Sequence, residues 1–419
     1  MSSSFFHCQT HKVPGQHIRH YAHSTAHDQH ATFYIHVKQY TPLDNLKPEA
    51  GDVTIIATHA SGVPKEAYEP VWDELLASSR RCGKYKIRNI FIVDSHNQGA
   101  SGRLNKDIMG NDPSWFDSAR DLLAVVNHLR DDMVQPIFGF GHSFGGNVLV
   151  QTALLHPRLF SALALADPTL IYDPAQSDFS PVTYIAQRRE TWPSRDAARA
   201  SFSKKSIYAL WDPRAFENWI TYGLIENDDG SVSLATSASQ EVLMYGRASH
   251  PAAGEPLSSF CAASGRHSEM KPELEGKLPF YRPEGYLVFN NLPHLQPGVN
   301  YIYPLKKTTV VCKPEHQIIR HKITGTGLGG SGGLNAGRVD FHNVDGGHFF
   351  PLEKPAETAE IVNEYYAAEV SNFKRLQMEN ERLWKNRPVE QRSTIDNDYV
   401  YFAKNYKQYK PGQRVQAKI

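Results

Sequence analysis

Cysteine is scarce. The 419 residues hold four, Cys8, Cys82, Cys261 and Cys312, far apart and without a CxxC pair. That spacing excludes a disulfide framework or a cysteine zinc site as the device that organises the fold, and it fits a reducing compartment. An excess of either charge is also missing: 45 Lys+Arg stand against 44 Asp+Glu, a formal charge of +1. There is thus no electrostatic reason to expect a nucleic-acid or membrane-surface partner, and the expected ligand is a small molecule. No apolar run approaches the length of a membrane span, and Met1 to Phe6 lacks a basic segment followed by an apolar one. The expectation is a soluble, unsecreted chain with no membrane span. Length imposes no limit on core size, since a chain this long can form one large domain with an insertion, or two domains.

The first half alternates buried strand and helix. Phe33 to Tyr40 alternates as an early antiparallel strand, Asp52 to Thr58 and Ile87 to Val93 are apolar, β-branched runs, and Gln135 to Phe140 and Ser161 to Ala166 are shorter ones. Pro70 to Ser79, Trp115 to Leu129 and Asn147 to Leu155 carry apolar residues at helical spacing. Strands that alternate with helices predict a mostly parallel sheet covered on both faces, an α/β class. After Asp167 the alternation stops, and roughly 130 residues pass before the next buried run, Thr308 to Cys312, too long for a plain connection. The spacing predicts a core over 1–169, an inserted, largely helical cap over 170–300, a second core portion over 301–385 and a tail over 386–419. GTGLGG, within Thr324 to Gly337, satisfies GxGxxG but has neither a good strand before it nor a helix after it, so it reads as a surface loop.

The chemistry centres on Gly141-His142-Ser143-Phe144-Gly145, a GxSxG placed between a strand and a helix. Two glycines permit a sharp, strained turn that lifts the central side chain clear of the sheet, the nucleophile elbow of the α/β-hydrolase fold. Ser143 is the expected nucleophile, with the positive end of the following helix beside the developing negative charge. A serine hydroxyl needs a base, and His348 qualifies because Asp345-Gly-Gly-His348 follows the last strand, Arg338 to Val344. Two carboxylates compete to orient it: Asp167, directly after the Ser161 to Ala166 strand, and the alternative acid Glu315, just past Thr308 to Cys312. A carboxylate buried at a strand end is costly without a partner such as an imidazolium, which favours Asp167. The expected oxyanion donors are the N–H of Phe144, directly after the nucleophile, and that of Val63 in the loop His59 to Pro64. His96 and His142 are expected to support the site. The N-terminal histidines His7, His11, His17, His20, His23, His27 and His30 have no Cys or carboxylate to organise them, and no metal is expected.

These residues resemble the fungal α/β-hydrolases of secondary metabolism, a family with host-selective-toxin biosynthesis proteins and a peroxisomal acyl-CoA hydrolase among its members. The resemblance runs from about residue 15 to 365 and is carried by VTIIATHASGVPKEAYEPVWDELL from Val53, DSHNQGAS from Asp94, GHSFGG from Gly141, LADPTL from Leu165 and DGGHFFPLEKP from Asp345. It implies the acid at Asp167, and hydrolysis of an acyl-CoA thioester without a cofactor. A carboxylic ester hydrolase or lipase would use the same residues, and a ligand-binding protein that kept the scaffold would hold them without turnover. Arg188, Arg189, Arg195, Arg199, Lys204 and Lys205 form a basic cap segment that could meet the phosphates of CoA or be a solvated helical face. The final Ala417-Lys418-Ile419 has the small-basic-aliphatic form of a peroxisomal address, with Ile in place of Leu. Import through the peroxisomal receptor is therefore expected, with the cytoplasm as the alternative location. A homodimer is compatible with all of these features.

Overall fold

The structure, a computed structural model, describes residues 2–251, 254–256, 268–274, 277–306, 313–385 and 387–408. Its centre is an eight-stranded sheet made of β1 (Phe6–Pro14), β2 (Tyr34–Pro42), β3 (Val53–Thr58), β4 (Ile87–Val93), β5 (Ile137–His142), β6 (Ala162–Ala166), β7 (Gly298–Pro304) and β8 (Val339–Val344). The strands lie in the order β1-β2-β4-β3-β5-β6-β7-β8. β2 runs antiparallel to β1 and to β4, and every other neighbouring pair is parallel. This is the α/β-hydrolase arrangement.

Burial of β3 on both sides explains its run of β-branched residues. Ile55 and Ala57 face one core, which holds Trp72, Leu75 and Tyr366 from the helices Glu69–Cys82 and Pro355–Lys385. Ile56 faces the other, with Leu122, Val148 and Val288 from Trp115–His128, Phe144–Leu155 and Pro283–Asn291. Local signals set the helix ends. The side chain of Ser114 accepts the Phe116 N–H, an N-cap, and Gly83 at φ 65° closes the helix Glu69–Cys82 in the left-handed conformation.

Between β6 and β7 the helices Ser180–Ala186, Arg195–Phe202, Ser206–Ala209, Pro213–Tyr222, Ala238–Tyr245 and Pro283–Asn291 are interleaved with two small antiparallel sheets. The strand after the insertion is β7, buried throughout. The run Thr308 to Cys312, expected to be that strand, lies outside the described residues. β7 went unread because only Val299 and Ile302 are β-branched, among Asn300, two tyrosines and a proline.

The chain divides into one compact unit over Met1–Val370, which contains the sheet, and a second over Ser371–Ile419. The second holds the end of the long helix and the helix Asn397–Lys404. Among the described residues no helix is long and apolar enough to cross a membrane.

Candidate active site

Ser143 sits between β5 and the helix Phe144–Leu155 at φ 56°, ψ −120°, a conformation that costs a non-glycine residue about 1–3 kcal/mol. Three backbone bonds hold it there: Ser143 N–H to Ala166 O at 2.9 Å, Gly146 N–H to Ser143 O at 3.0 Å and Thr169 N–H to Ser143 O at 2.9 Å. The glycine at 145 is required by close approach, since a Cβ there would lie 2.4 Å from Thr58 O.

Asp167 follows β6 directly, is fully buried and adopts φ 39°. Its N–H binds Ile302 O on β7 at 2.8 Å. His348 lies on the loop after β8, which is fixed by a bond from Gly347 N–H to Glu353 Oε2 at 3.0 Å. From three separate strand ends the structure brings these side chains into line. His348 Nδ1 lies 2.5 Å from Asp167 Oδ2, and His348 Nε2 lies 3.0 Å from Ser143 Oγ. A carboxylate only accepts, so Nδ1 is the nitrogen that carries a hydrogen, and the tautomer this selects leaves Nε2 as the acceptor that faces the serine hydroxyl. Glu315 is not part of this line: it is exposed, in the first turn of the helix Pro314–Ile323.

Phe144 N–H is the first of its helix and has no intrahelical acceptor. Val63 departs from the sequence reading. Its N–H closes a turn onto Ala60 O at 3.2 Å, with Gly62 at φ 76°, the geometry of a type II turn, and it is engaged there. Ser61, one position into that turn, is the residue of the loop that lines the cavity beside Ser143. Gln98 fixes the turn by accepting Gly62 N–H at 2.8 Å and donating to Ser61 Oγ at 3.0 Å. This gives the segment Asp94 to Ser101 its structural role. Asp94 is buried against Lys65 at 2.9 Å. Burial opposes its ionisation, but Lys65 and His59 outweigh that and hold its carboxyl below the ordinary range.

The cavity over Ser143 has a volume of about 110 Å³ and an apolar wall that includes Trp115, Phe144, Leu170, Ile171, Phe179 and Met244. Thr169, which sequence reasoning passed over although it lies in the segment LADPTL, places its hydroxyl 3.4 Å from Ser143 Oγ. The insertion reaches the turn as well. Glu241, on the helix Ala238–Tyr245, pairs with Arg188, and its carboxyl fills the space over Gly62, where a Cβ would lie 2.5 Å from it. Of the basic cap residues, Arg188 is thus engaged. Arg195 binds Ile220 O at 2.6 Å and Thr221 O at 3.1 Å, and Arg199 pairs with Glu217. Lys205 meets the Tyr184 hydroxyl at 2.8 Å. Among the described residues no group of three His, Cys, Asp or Glu side chains could hold a metal ion.

A serine on a strained strand-to-helix turn, on this strand order, defines an α/β-hydrolase. Comparison with known proteins agrees. A family model described as serine aminopeptidase, S33, matches residues 88–209. The type I acyl-CoA thioesterase mpaH of Penicillium roqueforti is 34% identical over 407 residues, 90% of this chain and 92% of its own. The thioesterase mpaH' of Penicillium brevicompactum is 34% identical over 413 residues, 92% of each chain. Among solved structures, the peroxisomal α/β-hydrolase Lpx1 of Saccharomyces cerevisiae shares the fold, with a TM-score of 0.67 at 18% identity over 98% of this chain and 99% of its own. The chain belongs to the α/β-hydrolase family that includes these Penicillium thioesterases, and it is a hydrolase acting on a small molecule.

Proposed function

We propose that the protein hydrolyses an acyl-CoA thioester, with an acyl group derived from a secondary metabolite or fatty acid, through an acyl-enzyme on Ser143. The observation that carries the chemistry is the line Ser143 Oγ, His348 Nε2, His348 Nδ1, Asp167 Oδ2, at 3.0 and 2.5 Å. The substrate class is supported by the activity named for the Penicillium relatives, and by an apolar cavity opening on Ser143.

In this reading His348 takes the proton of Ser143 as Oγ attacks the thioester carbonyl, and Asp167 stabilises the imidazolium. The tetrahedral oxyanion is met by Phe144 N–H. Ser61 N–H, which makes no hydrogen bond among the described residues, replaces Val63 as the second donor. Collapse breaks the C–S bond, and the CoA sulfur leaves with the proton from His348. A water molecule then gives a proton to His348, attacks the acyl-enzyme and releases the carboxylic acid, and the proton returns to Ser143. No cofactor enters. The location that goes with this reading is the peroxisome, reached through Ala417 to Ile419 and the import receptor; those residues lie outside the described ones.

The test is a panel of acyl-CoAs and matched oxygen esters, with Ser143→Ala as the control. Thioester turnover that Ser143→Ala abolishes is the expected result, whereas turnover of oxygen esters alone would overturn the substrate class. Fusing residues 409–419 to a fluorescent reporter tests the location, and a reporter that stays cytosolic refutes it.

A further inference from the structure

His142, the residue before the nucleophile, and Tyr68, from the 3₁₀ turn Lys65–Tyr68, are both fully buried, and neither reaches the cavity. They form a chain of three hydrogen bonds: Ala60 N–H to Tyr68 Oη at 2.9 Å, Tyr68 Oη to His142 Nδ1 at 2.7 Å and His142 Nε2 to His348 O at 2.8 Å. We infer that Tyr68 and His142 are positioning residues, which lock the backbone of His348 to the oxyanion turn through a hydrogen-bond chain of fixed direction. The inference rests on the reading of His348 as the base.

The direction follows from donor and acceptor capacity alone. A carbonyl oxygen only accepts, so His142 Nε2 carries a hydrogen. The ring is neutral: burial first, and the neighbouring His348 second, push its pKa down to about 3, against the pull of the His348 O bond and Asp167, with His59 adding to the depression. A neutral imidazole has one hydrogen, so Nδ1 is bare and accepts a hydrogen bond from the Tyr68 O–H. The Tyr68 oxygen then serves as acceptor for Ala60 N–H, and every group in the chain has one role. Two independent holds therefore act on the base. Asp167 orients its ring, and His142 anchors its main chain to Ala60, the first residue of the turn that carries Ser61. The two imidazole rings are 5.2 Å apart between centroids, so a neutral His142 also spares the His348 imidazolium a second adjacent cation.

The chain is testable without assuming a substrate. In the wild-type protein labelled with ¹⁵N-histidine, His142 is expected as the Nε2–H tautomer, without titrating between about pH 5 and 9. An Nδ1–H tautomer, or titration in that range, overturns the inference, and this measurement needs no variant to fold. Tyr68→Phe removes the donor to Nδ1 and the acceptor for Ala60 N–H together. It and His142→Leu should slow fluorophosphonate labelling of Ser143, and lower kcat, by at least about tenfold, with KM changed less than about twofold. His142→Gln, which keeps an N–H of similar reach, should recover most of the rate. Folded Tyr68→Phe and His142→Leu proteins that label as fast as wild type refute the positioning role alone. A wild-type protein that does not label at all overturns the reading of Ser143 as well.

Discussion

Replacing Asp167 by Asn is the sharpest test of the site, because the substitution changes charge and leaves the geometry in place. Asp167 sits at φ 39°, a region that Asn tolerates better than most residues, and its backbone bond to Ile302 O at 2.8 Å does not depend on the side chain. The Asn amide can meet His348 Nδ1 in two ways. If its NH₂ faces the ring, Nδ1 must accept, the hydrogen moves to Nε2 and the ring can no longer take the Ser143 proton, a loss of about four orders of magnitude in kcat. If its carbonyl faces the ring, the tautomer survives but the counter-charge does not. Unit charges about 4 Å apart at an effective dielectric of about 20 attract by about 4 kcal/mol, or about three orders of magnitude in rate. Either orientation therefore lowers kcat at least about a thousandfold by this arithmetic. The assay is steady-state thioester hydrolysis with a thiol reagent, with the unfolding temperature measured to show that the fold is kept. Glu315→Gln, on an exposed helix turn, should retain wild-type rates. A folded Asp167→Asn enzyme that keeps more than about a tenth of its activity would refute the assignment and the reasoning behind it.

Three further outcomes follow from buried contacts. Gly145→Ala sets a Cβ 2.4 Å from Thr58 O, backbone that cannot yield, and should cost at least about 2 kcal/mol in urea unfolding; an unchanged midpoint contradicts the close approach. Lys65→Met strips the partner from buried Asp94 and should destabilise by about 3–5 kcal/mol, part of which is recovered when Asp94→Asn is added; additive losses in the double variant would show that the pair is not coupled. Asp117 is held up to about 6, by burial first, against Arg19 and with Asp121 adding to the rise. A carboxyl raised in the folded state contributes stability below its unfolded pKa and loses it as pH rises through the folded one. Asp117→Asn should thus gain on wild type by about 3 kcal/mol between about pH 3.5 and 7, and a pH-independent difference in chemical unfolding would refute it.

Much of the sheet was legible because its strands announce themselves as short β-branched runs, and because GxSxG falls where one of them meets a helix. The same pattern put Ser143, Asp167 and His348 each just past a strand, which is why the fold can gather them. β1 escaped notice because it is an edge strand, its sequence FHCQTHKVP mostly exposed, and edge strands carry little hydrophobic signal. β7 escaped because its burial is achieved with Tyr301, Tyr303 and Asn300 rather than aliphatics. Which N–H of the Val63 loop is free to face the site is a matter of turn geometry. Gly62 and the loop could be recognised in sequence, but which N–H closes the turn depends on φ at that glycine. The Tyr68–His142–His348 chain joins positions 74 and 206 residues apart, and no local periodicity encodes contacts at that range.

The carboxyl of Glu241 seated over Gly62 bears on how such an enzyme can be diversified. An insertion transplanted onto this core keeps the turn only if it again sets a carboxylate over Gly62, because the turn beneath is moulded to that group. A hybrid without that carboxylate should fail in turnover before it fails in ligand uptake. New substrate preferences are reached with least disturbance by single replacements in the cavity wall, at Met244 or Phe179, that leave the Arg188–Glu241 joint untouched.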